Sequence, residues 1–206
     1  ADVFGLMEIE NNGTAVDDLV AALNARAGEG SYAAVKTGKV GSDAIFQAFV
    51  YKPTAVEPVG SAETLSFGSA GNRPALLQTF RHKDSGELVN VSVNHFKSKG
   101  SACKSDPDTG DGQGNCNQTR NKAAEDLVSW LQDDPTGQGA ARTVIIGDLN
   151  SYDHEDPVKT LVEGGYADME KKFTGEQAYS YVFDGMSGYL DHALANQAAE
   201  TSIVDA

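Results

Sequence analysis

The chain has 206 residues, which is enough for one domain that buries a sizeable hydrophobic core. Its 16 lysines and arginines against 30 aspartates and glutamates give a net charge of −14, which argues against nucleic-acid binding through a broad basic surface. No apolar run approaches the ~18 residues of a membrane-spanning helix, so no membrane partner is predicted.

The first predicted strand, residues 3–9, is mostly apolar but contains Glu8 just before the polar run 10–13. A carboxylate in an otherwise buried strand costs free energy unless it is paired or binds a cation. Mg²⁺ suits such a position because it takes oxygen ligands and keeps several of its waters. The alternative is that Glu8 ends the strand and faces solvent. A helix with an acidic first turn is predicted next, over residues 17–24.

Four further strands are predicted near residues 32–36, 44–51, 75–81 and 88–95. The last alternates polar residues with valines, which is the pattern of a half-buried strand, and it ends in Asn94-His95-Phe96-Lys97-Ser98-Lys99. A histidine there can carry a proton or donate to a phosphate oxygen. A lone histidine at a strand end is more often a bystander, but the adjacent amide and two cations favour a functional site.

Two cysteines, Cys103 and Cys116, flank a loop rich in Asp, Gly, Ser and Asn. This loop has little means of packing itself, so a disulfide that closes it would stabilise the fold by roughly 3 kcal/mol. Free thiols are the alternative, and a zinc site is disfavoured because only two sulfurs are present. A disulfide would favour an oxidising compartment. A helix is predicted over residues 119–132, where apolar residues recur at helical spacing.

The most informative stretch runs from Arg142 to Asn150. Its β-branched run predicts a buried strand over residues 143–148. Asp148 and Asn150 follow two residues apart, so period-2 alternation would point both side chains to the same side. A carboxylate beside a carboxamide can orient a nucleophilic water and hold a phosphoryl oxygen. Taken alone, Gly-Asp-Leu-Asn is also compatible with a plain strand and turn.

The C-terminal part begins with a short predicted helix over residues 157–162. An aromatic strand over residues 179–183 and an Asp-Gly turn at 184–185 predict a hairpin, which returns to Asp191-His192, a second carboxylate beside an imidazole. The mixture of strands and helices indicates an α+β or α/β domain, in which packed sheets are covered by helices.

Six segments, taken in order, resemble the endonuclease/exonuclease/phosphatase superfamily, whose fold is that of deoxyribonuclease I. The sequence is most similar to the family's secreted bacterial extracellular nucleases. This resemblance implies two packed, mostly antiparallel sheets flanked by helices. The segments cover nearly the whole chain and are Met7 to Asn11, Tyr51 to Pro53, Asn72 to Pro74 with the strand to Phe80, Asn94 to Lys99, Gly147 to Asn150, and Leu190 to His192.

The resemblance implies a role for each candidate site residue. Glu8 would be the metal-binding carboxylate, and His95 a catalytic histidine beside the scissile phosphate. Asp148 would be the acid or metal-side residue, and Asn150 would orient the phosphate. Asp191 would act with His95 on the attacking water or the phosphoryl group. The phosphate contacts would come from Arg73, Asn94 and Lys97.

Two features of the family are not found in this sequence. Family members have a strand ending in Asn ahead of the metal-binding Glu and a closing Ser-Asp-His-x-Pro-Val strand. We therefore expect residues 1–206 to be a single domain trimmed at both ends. Alone, it should be a poor nuclease and should self-associate through edges left by the missing strands. Asp43 is the nearest candidate for a family acidic residue ahead of Tyr51.

The sequence therefore predicts a secreted bacterial hydrolase. The predicted reaction is endonucleolytic cleavage of DNA or RNA by in-line attack of an activated water, with Mg²⁺, or alternatively Mn²⁺ or Ca²⁺, as cofactor. The metal and the cations Arg73, Lys97, Lys99 and Lys104 would offset the acidic charge. The alternatives are a phosphomonoesterase or lipid phosphodiesterase of the same fold, or an inactive binding or structural fragment of a nuclease, because fold alone does not decide function.

Overall fold

A computed structural model describes residues 1–68, 71–183 and 185–206. The helices in these ranges are α1 (Ala15–Ala27), α2 (Asn117–Gln132), α3 (Asp156–Glu163), α4 (Met169–Thr174) and α5 (Gln197–Glu200). The strands are β1 (Val3–Glu10), β2 (Ala33–Ala34), β3 (Ile45–Tyr51), β4 (Val56–Leu65), β5 (Ala75–His82), β6 (Leu88–His95), β7 (Arg142–Asp148), β8 (Tyr166–Asp168), β9 (Tyr181–Phe183), β10 (Met186–Gly188) and β11 (Asp191–Asn196).

Two sheets form the framework of the molecule. The larger has the strand order β4-β5-β6-β7-β11-β8 and the smaller the order β1-β3-β2, while β9 and β10 pair as a separate hairpin. The parallel pair β6–β7 interrupts the otherwise antiparallel pairing of the larger sheet. The predicted sandwich of two mostly antiparallel sheets flanked by helices is confirmed. Among the described residues, no helix combines the length and apolar character needed to cross a bilayer.

The two sheets pack face to face with little space between β1 and the strands opposite it. A Cβ atom added to Gly5 would lie 2.5 Å from side-chain atoms of both Ile146 and Val93, so only glycine permits this approach. Phe49 and Phe80 are fully buried nearby, with ring centres 5.5 Å apart in an edge-to-face arrangement. This contact fixes the end of β1 beside the ends of β6 and β7.

The helices α2 and α3 cover the outer face of the larger sheet. On α2 the buried side chains include Ala123, Ala124 and Leu127, which recur at helical spacing. They pack into one apolar cluster with strand residues such as Ile145 and Leu194, both fully buried. The strands that carry the candidate site are therefore held rigidly from behind.

The sequence analysis did not predict the strand β4, and it predicted some other strands to be longer than they are. β4 lies at the edge of the larger sheet and contains a register shift between Val59 and Glu63. Proline, glycine and charged residues are typical of edge strands, and they conceal the strand pattern in the sequence. The predicted hairpin is confirmed by the pairing of β9 with β10, although Asp184 of its predicted turn lies outside the described residues.

Within the described residues, β1 pairs with β3 alone, so its other edge has no strand beside it. An unpaired edge presents free backbone donors and acceptors to a second chain. The self-association that the sequence suggested stays a prediction.

We predict that Gly147→Ala lowers the free energy of unfolding by about 3 kcal/mol or more, because two separate penalties combine. Gly147 has a φ of 130°, and an added Cβ would lie 2.0 Å from the backbone oxygen of Asn94 on the paired strand. Gly165→Ala is the matched control, since Gly165 has a φ of 95° but open space around it.

Urea unfolding of both variants measures the difference. Gly165→Ala should lose only about 1 kcal/mol from backbone conformation. Equal losses in the two variants would show that the close contact between β6 and β7 does not constrain residue 147.

Candidate active site

Three neighbouring strands place a histidine and two aspartates in one row at their ends. The parallel pairing of β6 with β7 sets His95 opposite Asp148, and the antiparallel pairing of β7 with β11 sets Asp191 opposite Asp148. Residues directly opposite each other on neighbouring strands project from the same face of a sheet. His95 Nε2 lies 3.6 Å from Asp148 Oδ2. The sheet thus joins three predicted site residues from distant parts of the chain.

Glu8 reaches this row from the smaller sheet through a β-bulge. The register of β1 against β3 shifts between Leu6 and Ile9, and Glu8 has a φ of 59°. A bulge inserts an extra residue, breaks the alternation of faces and re-aims a side chain. Glu8 Oε1 lies 3.9 Å from His95 Nε2, and its side chain is 70% exposed. We call Glu8, His95, Asp148 and Asp191 the central cluster.

Asn150 holds Asp148 in place. The backbone N–H of Asn150 donates to Asp148 Oδ1 at 2.8 Å, and its side-chain Nδ2 donates to Asp148 Oδ2 at 3.2 Å. The same Nδ2 donates to the carbonyl of Phe96 at 3.1 Å, so both amide hydrogens are engaged. Asn150 therefore positions the carboxylate and ties the loop after β7 to the loop after β6. Its predicted role, orienting a phosphate, would require these bonds to rearrange.

His95 is held neutral by its surroundings. The pKa of His95 is lowered to about 4, chiefly by burial and next by the charge of Arg73, while the carboxylates of Glu8 and Asp43 oppose the shift. Arg73 Nε pairs with Asp43 Oδ2 at 2.9 Å. Arg73, the predicted phosphate-contacting arginine, therefore lies near the central cluster. Asp43, the candidate for the family's acidic residue, lies there with it.

The central cluster has the donor set of a divalent-cation site. Burial raises the pKa of Asp148, a hydrogen bond from the Asn150 backbone opposes this, and the charges of Asp191 and Glu8 raise it further. A divalent cation would offset this repulsion between carboxylates. Carboxylate oxygens are ligands that suit Mg²⁺, Mn²⁺ and Ca²⁺. The central cluster therefore offers oxygen atoms of the chemical type that such an ion takes.

Two of the predicted phosphate-contacting residues, Asn94 and Lys97, make the described side-chain contacts with residues outside the central cluster. Asn94 is fully buried, and its Nδ2 donates to the backbone and side-chain oxygens of Ser92. Adjacent residues of a strand point to opposite faces, so Asn94 faces away from the side that His95 occupies. The side chain of Lys97 extends along Gly71, where an added Cβ would lie 3.0 Å from its Cδ and Cε atoms. The phosphate contacts predicted for Asn94 and Lys97 stay predictions.

The pair Asp191-His192 divides between two environments. Asp191 is exposed in the row with Asp148, whereas His192 is 4% exposed on the other face of β11. His192 Nε2 donates to the carbonyl of Ser151 at 2.7 Å, and its Nδ1 faces Asp168 Oδ2 at 3.8 Å. Tyr189 also donates to Asp168 Oδ2, at 2.8 Å. His192 therefore anchors the loop after β7 from behind.

The sequence reading overlooked Arg120, which organises the loops around the site. Arg120 is fully buried in α2, and burial lowers its pKa. Its guanidinium donates to Ser151 Oγ and to the backbone carbonyls of Lys97, Gln113 and Asn115, at 2.6 to 3.2 Å. One cation thus links the loops after β6 and β7 to the loop that precedes α2.

The predicted disulfide between Cys103 and Cys116 is present. The loop that it closes contains Gln113 and Asn115, whose carbonyls accept from Arg120. Within the same loop the carboxylate of Asp106, which is 7% exposed, accepts from the backbone N–H of Thr119 at 2.7 Å. The disulfide therefore restrains a loop that contacts the site through Arg120.

A second group of possible metal ligands lies outside the central cluster. One ligand atom each from Asp153, His154 and Glu176 lies within 4.8 Å of the others. The ammonium of Lys171 already occupies this group, 3.2 Å from Glu176 Oε1 and 3.8 Å from Asp153 Oδ2. A metal ion bound by Asp153, His154 and Glu176 would have to displace this cation.

Comparison with solved structures identifies the fold. An endonuclease/exonuclease/phosphatase family protein from Bacteroides thetaiotaomicron matches with a TM-score of 0.65 and 16% identity, over 95% of this chain and 69% of that one. This chain has the endonuclease/exonuclease/phosphatase fold. At this identity the likeness establishes the fold alone. No family model and no curated protein sequence matches the chain.

Two further structures of this fold show its range. The mannosyl-6-phosphatase Bt3783 of Bacteroides thetaiotaomicron VPI-5482 has a TM-score of 0.65 and 16% identity, covering 96% of this chain and 72% of that one. The TDP2 of D. rerio, complexed with a single-strand DNA product, has a TM-score of 0.61 and 17% identity, covering 95% and 70%.

We predict that Glu8→Gln weakens Mn²⁺ binding at least tenfold, because it removes one charged ligand from the central cluster. Glu10→Gln is the matched control, since Glu10 continues from the bulge toward the loop and bonds to Asn12. Isothermal calorimetry measures both affinities. Equal losses in the two variants would remove Glu8 from the metal site.

Proposed function

We propose that this chain is a divalent-metal-dependent phosphodiesterase that cleaves DNA or RNA. The observation that carries the proposal is the meeting of His95, Asp148 and Asp191 in one row with Glu8 from the facing sheet. A buried imidazole, three carboxylates and a neighbouring guanidinium form a group suited to phosphoryl chemistry, since they can hold a cation, a water and a phosphate oxygen together. The side chain of Glu8 is exposed, so the central cluster is accessible to solvent at Glu8.

A divalent cation would be held by Glu8 together with carboxylate oxygens of Asp148 and Asp191. Mg²⁺ is the ion proposed, with Mn²⁺ and Ca²⁺ as alternatives, because all three take oxygen ligands. Such an ion polarises a phosphoryl oxygen and offsets charge on the leaving oxygen. Glu8 suits this role because its side chain is exposed at the bulge.

The protein's own groups would then orient water and phosphate. The pKa of Asp148 is raised by burial, which increases its affinity for a proton taken from an attacking water. Asn150 fixes the carboxylate through two hydrogen bonds. The lowered pKa keeps His95 neutral at pH 7, and two carboxylates within 3.9 Å of Nε2 favour a proton on that atom. His95 can therefore donate to a non-bridging phosphate oxygen without adding a full charge.

Nucleic acid is the proposed substrate because a structural neighbour, TDP2, was solved with a single-strand DNA product. Arg73 supplies a cation beside His95 in an otherwise acidic chain. A phosphomonoesterase is the second candidate, since another neighbour is a mannosyl-6-phosphatase. We also propose an extracellular location, because the bond between Cys103 and Cys116 is of a kind that persists in oxidising compartments.

We predict that His95→Ala and Asp148→Ala each reduce phosphodiester cleavage at least ~100-fold, the scale for loss of a general acid or base or of a preorganised donor. His82→Ala is the control, because His82 lies on the surface and bonds to Ser85. The assay follows Mg²⁺-dependent cleavage of labelled DNA, RNA and mannose 6-phosphate, with circular dichroism to confirm folding.

Cleavage of DNA or RNA that depends on His95 and Asp148 supports the nuclease. Turnover of mannose 6-phosphate alone would favour the phosphomonoesterase. Unchanged turnover in both variants would mean that the central cluster is not the active site. The slow turnover expected of this chain by itself stays a prediction.

A further inference from the structure

The hairpin β9–β10 exposes an unusual concentration of apolar side chains. Tyr181, Phe183 and Met186 are 45%, 55% and 66% exposed. The rings of Tyr181 and Phe183 are parallel to within 9°, with centres 6.3 Å apart. Met186 pairs directly with Phe183 across the hairpin, so the three side chains share one face. Exposed apolar patches of this kind mark binding surfaces.

This face continues toward the central cluster through Tyr152. Gly188 pairs with Tyr181, and a Cβ added to Gly188 would lie 2.6 Å from the Tyr152 ring. The Tyr152 ring therefore lies on the same face of the hairpin, next to Tyr181. Lys99 Nζ lies over the Tyr152 ring, 4.5 Å from its centre. The exposed rings of Tyr181 and Phe183 therefore offer the stacking faces, and Tyr152 connects them to the loop after β7. We call Tyr152, Tyr181 and Phe183 the aromatic strip.

The segments that carry the aromatic strip also carry the site. Tyr152 follows Asn150 by two residues in the loop after β7. The strand β10 leads through Leu190 into Asp191, the first residue of β11. The Leu190 carbonyl accepts from the backbone N–H of Leu149 at 2.9 Å, which ties the two segments together. The strip therefore starts beside the central cluster and extends away from it.

Stacking is a suitable source of affinity for this chain. Its net charge of −14 weakens attraction to a phosphate backbone. The strip carries no formal charge, and the one ammonium above it, that of Lys99, is already paired with Glu155. Base stacking on aromatic rings tolerates any sequence, because every base has a flat face. Bases in a duplex stack on one another, so only unpaired bases can use such a surface.

We propose that the aromatic strip binds unpaired bases of a single-stranded nucleic acid while the adjoining phosphate lies at the central cluster. This inference rests on the proposed function and narrows its substrate to strands with free bases. A lipid surface is the rival occupant, since exposed aromatic residues also insert at membrane interfaces. Binding at an anionic membrane surface generally gains affinity from basic residues, and the net charge of −14 opposes that attraction, so nucleic acid bound by stacking is favoured.

The test compares binding of two fluorescein-labelled strands of equal length, oligothymidine and a strand of abasic sites. The two share a phosphate backbone but differ in bases. Anisotropy is measured at low salt with EDTA, so that no cleavage occurs. Tyr181→Ala and Phe183→Ala should each weaken oligothymidine binding by about tenfold and leave abasic binding unchanged.

Two further variants sharpen the result. Val182→Ala is the matched control, because Val182 is 58% exposed but lies on the opposite face of β9. It should bind both strands as the parent does. Phe183→Trp should restore oligothymidine binding, since it returns a flat ring. Equal losses on both strands, no loss in either alanine variant, or an equal loss in Val182→Ala would overturn the proposal.

Two additional assays separate this proposal from its alternatives. If the protein sediments with phosphatidylglycerol vesicles and Phe183→Ala does not, the aromatic strip binds a lipid surface, and the proposal is overturned. Mg²⁺-dependent cleavage of the abasic strand reports on the proposed function without using bases. If cleavage of the abasic strand is lost in His95→Ala but kept in Phe183→Ala, both the proposed nuclease activity and the proposed base binding are supported. Binding that depends on bases, without cleavage of any strand, would support base binding by the aromatic strip and contradict the proposed nuclease activity.

Discussion

The parallel, in-register pairing of β6 with β7 is the constraint on which the site depends. It sets His95 opposite Asp148 and leaves no room for a side chain at residue 147, where the backbone of Asn94 lies against Gly147. In the antiparallel pairing of β7 with β11, Asp191 is the residue that lies directly opposite Asp148. A one-residue slip in either pairing would turn a site residue to the opposite face. Catalytic geometry therefore follows from strand register.

The loops around this row are held by buried polar groups as well as by apolar packing. Arg120 donates to three partly buried backbone carbonyls and to the buried Ser151, and removing it would take away these hydrogen bonds. His192 donates to the carbonyl of Ser151 from the other side. The same loop carries Tyr152 at the start of the aromatic strip. The loop after β7 thus supports both the central cluster and the aromatic strip.

Much of the fold and part of the site could be predicted because they follow from local patterns. The β-branched run before Asp148 and the alternation before His95 specified strands, and both strands are present. The disulfide followed from a loop that cannot pack itself, and Cys103 is bonded to Cys116. The order of motifs indicated the family fold, which the solved structures confirm.

The remaining features depend on contacts that a linear pattern does not specify. The bulge that turns Glu8 toward His95 interrupts the alternation on which the strand prediction was based. Asn94 and His95 are adjacent, so alternation alone indicates that their side chains lie on opposite faces of the sheet. Arg120 precedes Ala123, Ala124 and Leu127 at helical spacing, and that position on an apolar stripe was an available signal of a buried cation.

Strand register and the bulge at Glu8 together form the proposed metal site. Paramagnetic broadening of backbone amide signals by substoichiometric Mn²⁺ tests it most directly, because it locates the ion without requiring turnover. We expect early broadening at Glu8, His95, Asp148 and Asp191, with sharp signals at the second group, Asp153, His154 and Glu176. Early broadening at Asp153, His154 and Glu176, with sharp signals in the central cluster, would contradict it.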